Sequence, residues 1–297
     1  MNSQEPPKIS VILIMNDSFK ALLESIKSLG RQTVRDRLQI ILVDALEDEP
    51  IDHSALSEFS QLQTIRVSPD TTFAEAKAAG FRNATSEIVT FTEDHSYPNS
   101  VWAEALIEAH RQPWAAVGPA VGNANPINMI SWADLFILYG RWVDRVSGTV
   151  IDDVPGQGSA YKRGLLMGYG SELGKMLEME TILHWDLQNK GFQLYLEPKA
   201  KTYHANATRP YAFFWEHLKV GRQFAAARAS SWSPFHRFLY TMAGPLIPIV
   251  RLKRIFGEIK RSGHAPDLLP GILLPLIMGL AASTFGEIFG YISTPNN

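Results

Sequence analysis

The amino-terminal two thirds of the chain alternate short apolar runs with amphipathic stretches, and this order constrains the fold more than any other feature. The apolar runs have the length of buried strands, and the stretches between them have helical periodicity. The predicted strands are 9–14, 38–44, 63–67, 88–92 and 115–121, and the predicted helices are 20–29, 72–84 and 101–110. Strands that alternate with helices form right-handed βαβ units, which predicts an α/β fold with a mostly parallel central sheet flanked by helices.

Composition narrows the function classes. The 297 residues are 45% hydrophobic and 20% charged, which is typical of a globular chain. The formal net charge is -2, so there is no basic field to attract nucleic acid, and no nucleic-acid partner is expected. The chain has no cysteine, which excludes disulfides and thiolate metal sites. The segment 1–8 is polar, without the apolar core of a signal peptide, and predicts a first domain in the cytoplasm.

The last third differs in character. Two uncharged apolar runs, 238–250 and 268–286, flank a basic stretch at 251–261. A single bilayer span needs about 20 apolar residues, so we expect the first run to be interfacial or re-entrant and the second to span or dip into a membrane. The basic stretch would then lie at the cytoplasmic headgroups. The alternative is a pair of core helices in a soluble protein.

Polar side chains directly follow several predicted strands, where ligands bind in sheets of this kind. Asn16 and Asp17 follow the first strand, and Asp44 ends the second. Asp44 is predicted to bind a nucleotide base or ribose, with a strand-end turn residue as the alternative. The segment 93–95, Glu-Asp-His, follows the fourth strand. Two carboxylates and an imidazole at such a place suit a divalent cation that holds a diphosphate, and the alternative is a polar loop that caps the next helix.

A second group of candidates lies further along the chain. Glu180 opens a predicted helix, 180–189, on the face that carries Leu183, His184 and Leu187. A carboxylate held there can act as a general base, and the alternative is a glutamate that only favours the helix dipole. Gly156, Gln157, Gly158 and Ser159 form a predicted loop whose glycines let the backbone approach a ligand closely.

These segments occur in an order that resembles the family 2 glycosyltransferases of the GT-A fold. The resemblance covers roughly residues 9 to 205, and its core is KAAG followed by ATSEIVTFTEDH, which ends at the position of the family's Asp-x-Asp motif. The remaining pieces are SVILI at 10–14, IILVD at 40–44, the helix 180–191 and the Pro-x-Ala to His ending at 198–204.

The resemblance implies a GT-A nucleotide-diphospho-sugar transferase fold and an inverting, hexosyltransferase-like enzyme. It implies that Glu180 is the base, with Glu178 as the second choice, and that the loop 156–159 lies on the acceptor side. The implied donor-binding residues are Asn16, Asp44, Lys77, Glu93 and Asp94. The implied ligands of a divalent cation, Mn²⁺ or Mg²⁺, are Glu93, Asp94, His95 and His204, and the imidazoles favour Mn²⁺. His204 has the alternative of a structural histidine.

The resemblance and the apolar carboxyl-terminal segments together predict the organisation and the partners. A catalytic domain is expected at 1–210, divided into a nucleotide-sugar half at 1–95 and an acceptor half at 96–210, with a helical membrane-associated region at 211–297. The expected partners are a nucleotide-diphospho-sugar donor, a lipid-linked or glycan acceptor and a membrane. The expected location is the cytoplasmic membrane, with the catalytic domain facing the cytoplasm.

Several substitutions within the resemblance leave a second hypothesis open. His95 stands where the family has its metal-binding aspartate, and Asp44 is followed by Ala45 and Leu46 rather than by an acidic or amide residue and Gly-Ser. The chain is therefore alternatively a catalytically inactive, membrane-anchored scaffold of the same fold. A nucleotidyltransferase is disfavoured, because the segment 15–18 lacks the basic, glycine-rich loop that grips a triphosphate.

Overall fold

The computed structural model describes residues 6–46, 49–230, 232–269 and 271–293. Its strands are β1 (Ile9–Met15), β2 (Leu38–Asp44), β3 (Gln61–Arg66), β4 (Ile88–Thr92), β5 (Ser96–Pro98), β6 (Ala116–Asn123), β7 (Thr149–Ile151), β8 (Ala160–Lys162) and β9 (Leu194–His204). Its helices are α1 (Phe19–Gly30), α2 (His53–Leu56), α3 (Phe73–Asn83), α4 (Trp102–Ala109), α5 (Met129–Tyr139), α6 (Arg163–Met167), α7 (Leu173–Met176), α8 (Glu180–Asn189), α9 (Pro210–Arg228), α10 (Pro234–Ala243), α11 (Ile247–Ser262), α12 (Ala265–Leu268) and α13 (Leu273–Ser293).

The described chain forms two compact units. The sheet unit comprises residues 1–120 and 147–203, and the helical unit comprises residues 121–146 and 204–297. The helical unit thus includes α5, and its second segment starts at His204, six residues before position 210, where the sequence predicts a domain boundary. That boundary stays a prediction.

One mixed sheet forms the centre of the sheet unit, with the order β3-β2-β1-β4-β8-β6-β9-β5 and β7 paired to β9. The first four strands are parallel, as predicted from their alternation with helices. The parallel arrangement stops at β4, because β8 pairs with it antiparallel and β6 pairs antiparallel with β8. The predicted α/β fold is confirmed, and its central sheet is mixed, with four neighbouring parallel strands and an antiparallel remainder.

The parallel strands β1, β2 and β4 are buried on both faces, which explains why they are largely apolar rather than alternating. The remaining parallel strand, β3, lies at the edge of the sheet and is partly exposed. Successive side chains of a strand point to opposite faces. Ile12 and Ile14 accordingly pack in one core cluster with Phe81 of α3, whereas Val11 and Leu13 pack in the other cluster with residues of α1.

The helices begin at side-chain caps that the sequence contains. Ser18 accepts a hydrogen bond from the backbone N–H of Ala21 at the start of α1, and Thr72 accepts one from Glu75 at the start of α3. At Gly80 an added Cβ would lie 2.6 Å from the side chain of Ile12. Only glycine therefore lets α3 approach β1 this closely, and that approach places Lys77 of the same helix beside the sheet.

One local expectation was wrong. The sequence predicts two short strands, 193–196 and 200–204, on either side of Pro198, but β9 runs unbroken from Leu194 to His204 through that proline. A proline removes a single N–H donor, and the pairing of β9 with β7 on one stretch and β5 and β6 elsewhere tolerates that loss.

The helical unit is built around α9 and α13, which pack closely through glycines. A Cβ at Gly221 would collide with the backbone of Ser283, and one at Gly286 would collide with the carbonyl of Leu218. Glu287, which the sequence placed beyond the apolar run, is buried, and its carboxylate lies 3.4 Å from Nη1 of Arg251.

The helix α13 is the one described helix that is long and apolar enough to cross a membrane, although half of its most apolar window is buried in the protein, as in a soluble core helix. Its exposed face carries Leu274, Phe285 and Ile292. The predicted membrane segment 268–286 starts earlier than α13, and its Pro270 lies outside the described residues.

Candidate active site

The carboxyl ends of β1, β2 and β4 meet at one edge of the sheet unit, here called the carboxyl edge. Met15 pairs with Asp44, and Leu13 pairs with Thr92, so the residues that follow these strands are neighbours. Asn16 is exposed there, and Glu93 follows Thr92 directly. The structure thus brings Asn16, Asp44 and Glu93 to one edge, as expected for a ligand site in such a sheet.

The side chain of Asp44, which is predicted to bind a nucleotide, already has partners within the protein. Its side chain is 1% exposed. One carboxylate oxygen accepts from the backbone N–H of Leu46 at 3.0 Å, and the other lies 3.2 Å from Nε and 3.2 Å from Nη2 of Arg66. Both oxygens therefore have protein partners, and the exposed guanidinium of Arg66 is the group at this position that reaches solvent.

His95 lies between two carboxylates. Its Nδ1 is 2.5 Å from Oδ1 of Asp94, and its Nε2 is 3.3 Å from Oε2 of Glu93. The hydrogen bond from His95 holds the pKa of Asp94 below its usual value, despite the partial burial of that carboxyl. All three side chains keep some exposure, so a ligand at this edge can reach them.

This donor set fits a divalent cation. Two ligand atoms at right angles on an octahedral ion with bonds of about 2.1 to 2.3 Å lie about 3 Å apart. The separation of His95 Nε2 and Glu93 Oε2 is compatible with that value. A metal-binding histidine usually donates its other N–H to a carboxylate, and Asp94 takes that place at Nδ1. The arrangement favours Glu93 and His95 as direct ligands and Asp94 as the residue that orients His95.

His204, the remaining predicted ligand, is the last residue of β9 and belongs to the helical unit. It is buried, and its Nδ1 lies 3.0 Å from Oδ1 of Asn206. Its ring centroid is 4.8 Å from that of Tyr139. A metal would therefore have to bind at Nε2, and the role of His204 as a ligand stays a prediction.

Glu180 is the first residue of α8, and its carboxylate forms an ion pair with Lys77 of α3. Lys77 is 5% exposed, and its Nζ lies 4.6 Å from the ring centroid of Phe91 in β4. Phe91 precedes Glu93 by two residues, so the ion pair lies beside the strand that leads to the acidic cluster. Lys77 was expected to bind the donor, but its ammonium is held by Glu180 and by aromatic rings.

The loop 156–159 is anchored against β4 and β5. The N–H of Gly158 donates to the carbonyl of Phe91 at 2.8 Å, and Ser96 donates to Oε1 of Gln157 at 2.5 Å. Gly158 has a φ of +73°, which favours glycine. At Gly156 an added Cβ would lie 2.7 Å from Oε2 of Glu180. Glycine at this position is thus what leaves room for the Glu180 carboxylate beside the loop.

A buried chain of hydrogen bonds fixes α8, and the sequence analysis missed it. His184, fully buried, lies with Nδ1 2.5 Å from Oδ1 of Asp153 and Nε2 2.9 Å from the hydroxyl of Tyr161. Burial raises the pKa of Tyr161, and the charges of Glu180 and Asp153 raise it further. Tyr161 therefore remains a neutral donor. The acidic pair at 152–153 is visible in the sequence, but nothing local shows that Asp153 meets a histidine 31 positions later.

Comparison with known proteins agrees with the fold and identifies the family. The profile of glycosyl transferase family 2 matches residues 10–170, which is more than half of the chain. The chain therefore belongs to glycosyl transferase family 2, as its resemblance implied.

Two relatives come from Drosophila melanogaster. N-acetylgalactosaminyltransferase 4 is 31% identical over 143 residues, which is 46% of this chain and 21% of the relative. N-acetylgalactosaminyltransferase 6 is 31% identical over 109 residues, which is 34% of this chain and 16% of the relative. The chain thus spans about a fifth of the length of these relatives.

Two solved structures share the GT-A fold. The mannosyltransferase PcManGT from Pyrobaculum calidifontis, in complex with GDP-Man and Mn²⁺, is similar with a TM-score of 0.54 and 16% identity, over 96% of this chain and 88% of that one. GalNAc-T7 with UDP, GalNAc and Mn²⁺ is similar with a TM-score of 0.50 and 12% identity, over 80% of this chain and 51% of that one. The GT-A fold is thereby shown for this chain.

Proposed function

We propose that this chain is an inverting glycosyltransferase that moves a sugar from a nucleotide-diphosphate donor to a lipid-linked or polysaccharide acceptor at the cytoplasmic face of a membrane. The observation that carries the proposal is the carboxyl edge itself. It combines a Glu93–His95 pair with metal-binding spacing and a carboxylate, Glu180, at the start of a helix beside the same strand. The nucleotide-sugars in the two structural neighbours support the donor class.

Glu180 takes the proton in this mechanism. The acceptor hydroxyl oxygen attacks the anomeric carbon and forms the new glycosidic bond as its proton passes to the Glu180 carboxylate. The bond between the anomeric carbon and the phosphate oxygen breaks, and the nucleoside diphosphate leaves with the electron pair. A single displacement of this kind inverts the anomeric configuration.

Lys77 controls the availability of that base. While its ammonium is paired with Glu180, an oxygen of that carboxylate is occupied by the ion pair and is not available to the acceptor hydroxyl. Donor phosphates at the carboxyl edge offer Lys77 an alternative partner, which would release Glu180 toward the acceptor. In this proposal the Lys77 side chain has two positions, one paired with Glu180 and one bound to the donor phosphates.

Glu93 and His95 would hold the divalent cation, with Asp94 orienting His95 and His204 as a further proposed ligand. A bound Mn²⁺ or Mg²⁺ would supply positive charge that stabilises the leaving diphosphate. The imidazole favours Mn²⁺ over Mg²⁺, which prefers oxygen ligands. The Mn²⁺ in both structural neighbours supports this choice.

The membrane location is supported by the surface of the helical unit. Exposed apolar side chains are concentrated on α10, α11 and α13, among them Phe235, Met242 and Ile249. The helix α11 also carries four exposed cationic residues, Lys253, Arg254, Lys260 and Arg261. Apolar groups with adjacent cations suit the interface of an anionic membrane, and such a location favours a lipid-linked acceptor. Flotation with anionic vesicles tests this part separately.

A specific observation also favours the inactive-scaffold alternative. Asp44 is held by Arg66, and Glu180 is neutralised by Lys77, so two of the predicted functional carboxylates have internal partners. A chain that kept the fold without the chemistry would retain such pairs as structural elements.

Calorimetric titration with UDP and GDP separates the two functions. The protein is titrated with each nucleotide in Mn²⁺ and again in EDTA, and the titrations are repeated with His95→Ala. We expect binding that requires Mn²⁺ and weakens in the variant. His53→Ala removes an exposed histidine of α2 and serves as the matched control. A protein that binds neither nucleotide in any metal condition is the scaffold.

A further inference from the structure

The sheet unit has a cavity of about 820 Å³ at the edge opposite the proposed donor site. It is lined by residues that precede β1, β2 and β4 or end β8, and by the end of α4. We call it the amino-edge groove. No step of the proposed sugar transfer uses it.

The register of the sheet aligns the lining residues. Leu38, Ile9, Ile88 and Lys162 are consecutive partners across β2, β1, β4 and β8. Arg37 and Lys8 therefore lie side by side just before their strands, with Lys162 at the same edge of the sheet. Neighbouring strands are about 4.8 Å apart, so this row is about 15 Å long.

The row concentrates positive charge in a chain whose net charge is -2. Among the described residues, Lys8, Arg37 and Lys162 have no carboxylate partner. Arg163 donates to the backbone carbonyl of Arg82 at 3.1 Å, which leaves its charge uncompensated.

The remaining charges do not cancel this excess. Arg111, also in the lining, is balanced by Glu108 at 3.1 Å. Glu87 is the one carboxylate among the lining residues. The groove thus presents four cations against one anion, and such like-charge clustering is relieved by an anionic ligand.

A buried hydroxyl adds a second, independent observation. Ser86 lines the groove and is 3% exposed, and its Oγ has no hydrogen-bond partner among the described residues. Its backbone N–H donates to Oγ of Ser10 at 3.2 Å, which fixes the residue in place. Buried polar groups are nearly always paired, so an unpaired hydroxyl in a cationic groove points to a missing acceptor.

We propose that the amino-edge groove is a binding site for a phosphate group, distinct from the donor site. Arg37 and Lys162 bind the phosphate oxygens by charge-assisted hydrogen bonds, and Ser86 donates one more. The described lining residues include no Phe, Tyr or Trp on which a nucleobase could stack, and the one aromatic ring, the imidazole of His110, is buried. This lining favours a simple phosphate ligand over single-stranded nucleic acid. The source of the phosphate is either a soluble anion or the headgroup of a phospholipid.

Titration with inorganic pyrophosphate in EDTA tests the site, because the absence of divalent cation silences the proposed donor site. We expect the wild-type protein and Glu93→Gln to bind pyrophosphate equally. Arg37→Glu and Lys162→Glu should each weaken binding by about tenfold or more, the usual value of a charge-assisted hydrogen bond. Lys199→Glu, an exposed cation of β9 outside the groove, is the matched control and should bind as the wild type does.

A second experiment, with lipid vesicles, identifies whether the phosphate group belongs to a soluble anion or to a phospholipid. Phosphatidylcholine vesicles with and without phosphatidylglycerol are compared for the wild type, Arg37→Glu and Lys199→Glu. A loss of phosphatidylglycerol-dependent binding confined to Arg37→Glu assigns a lipid headgroup, and pyrophosphate binding without such a loss assigns a soluble phosphate.

The proposal is overturned if pyrophosphate does not bind in EDTA, if it binds equally to Arg37→Glu and Lys162→Glu, or if a single-stranded oligonucleotide displaces it at far lower concentration. Each of these results leaves the metal-dependent binding of UDP or GDP untouched. Failure of this site and failure of the proposed sugar transfer are therefore distinguishable.

Discussion

The two edges of one sheet differ in charge although the same strands form both. At the carboxyl edge, Glu93 and Asp94 surround His95, and Glu180 lies beside β4. At the amino edge, Lys8, Arg37 and Lys162 stand in a row. The strands between them are apolar and buried, so they separate two polar surfaces that can evolve independently. The charge of each edge is therefore set by the residues at the strand ends rather than by those within the strands.

The two edges also differ in what shifts the pKa values of their titratable groups. At the carboxyl edge a hydrogen bond from His95 lowers the pKa of Asp94, which keeps an anion charged for use. At the amino edge burial lowers the pKa of His110 to about 4, and the nearby charge of Lys162 also disfavours protonation. His110 is thus neutral at physiological pH, and it adds no charge to the groove.

The largest expected effect comes from removing the proposed base at the carboxyl edge. Glu180→Gln keeps the size of the side chain but removes the base, so we expect donor turnover to fall by about 10² to 10⁴-fold with little change in nucleotide affinity. Turnover is measured as release of UDP or GDP from a nucleotide-sugar. Glu178→Gln is the control, and a loss in that variant instead would assign the base to Glu178. Circular dichroism verifies that both variants fold, since Lys77 loses its partner in the first.

The next effect concerns the amino edge and pH. His110 binds a proton in the unfolded chain below about pH 6.5 but in the folded chain only below about pH 4. The unfolded state therefore binds more protons between these values, and stability falls as pH falls through this window, by about 3 kcal/mol for this group. Urea unfolding at pH 7, 5.5 and 4 measures the loss.

His110→Gln provides the control for that measurement. The variant lacks the titrating ring, so its stability should decline less steeply than that of the wild type between pH 6.5 and 4. Equal slopes for the two proteins would show that His110 is not the group responsible.

A smaller expected effect, on Mn²⁺ affinity, distinguishes a direct metal ligand from the residue that orients His95 at the carboxyl edge. Asp94→Asn removes the carboxylate that holds His95 and should weaken Mn²⁺ binding by about 10 to 100-fold, whereas Glu93→Gln removes a proposed direct ligand and should weaken it more. Electron paramagnetic resonance of free Mn²⁺ gives both affinities. If Asp94→Asn is the more severe change, Asp94 is the direct ligand and the assignment above is reversed.

The smallest effect tests the excess charge of the groove. Arg37→Gln removes one of several clustered cations, so we expect it to raise the free energy of unfolding by up to about 0.5 kcal/mol at low ionic strength, with less effect at high salt. Lys199→Gln, outside the groove, should leave stability unchanged. A destabilised Arg37→Gln protein would mean that the guanidinium has a stabilising partner and that the groove is not strained by repulsion.

Much of this architecture was predictable from the sequence, because it depends on patterns within short segments. The apolar runs of β1, β2 and β4 are continuous because those strands are buried on both faces, and such runs are visible without a structure. The acidic segment 93–95 directly follows one of these runs, so its place at the carboxyl edge also follows from the order of residues. The family resemblance depended on the same segments, and the match over residues 10–170 confirms it.

The misses have a physical reason in common, which is that they depend on pairs distant in sequence. The Asp153–His184–Tyr161 chain joins a loop, a helix and a strand, and no short motif contains it. The ion pair between Lys77 and Glu180 spans 103 positions. The antiparallel pairing of β8 with β4 likewise joins distant segments, and the local sequence pattern does not show which strand will pair with β4.

The sequence by itself determined the family, the parallel half of the sheet and the position of its acidic strand ends, because apolar runs, glycines and caps act over a few residues. Only the tertiary structure decided which charges meet. It paired Glu180 with Lys77, placed Asp94 behind His95 and gathered Arg37, Lys8 and Lys162 into one groove. Such juxtapositions depend on strand register and helix packing, which are cooperative properties of the whole sheet unit rather than of any segment within it.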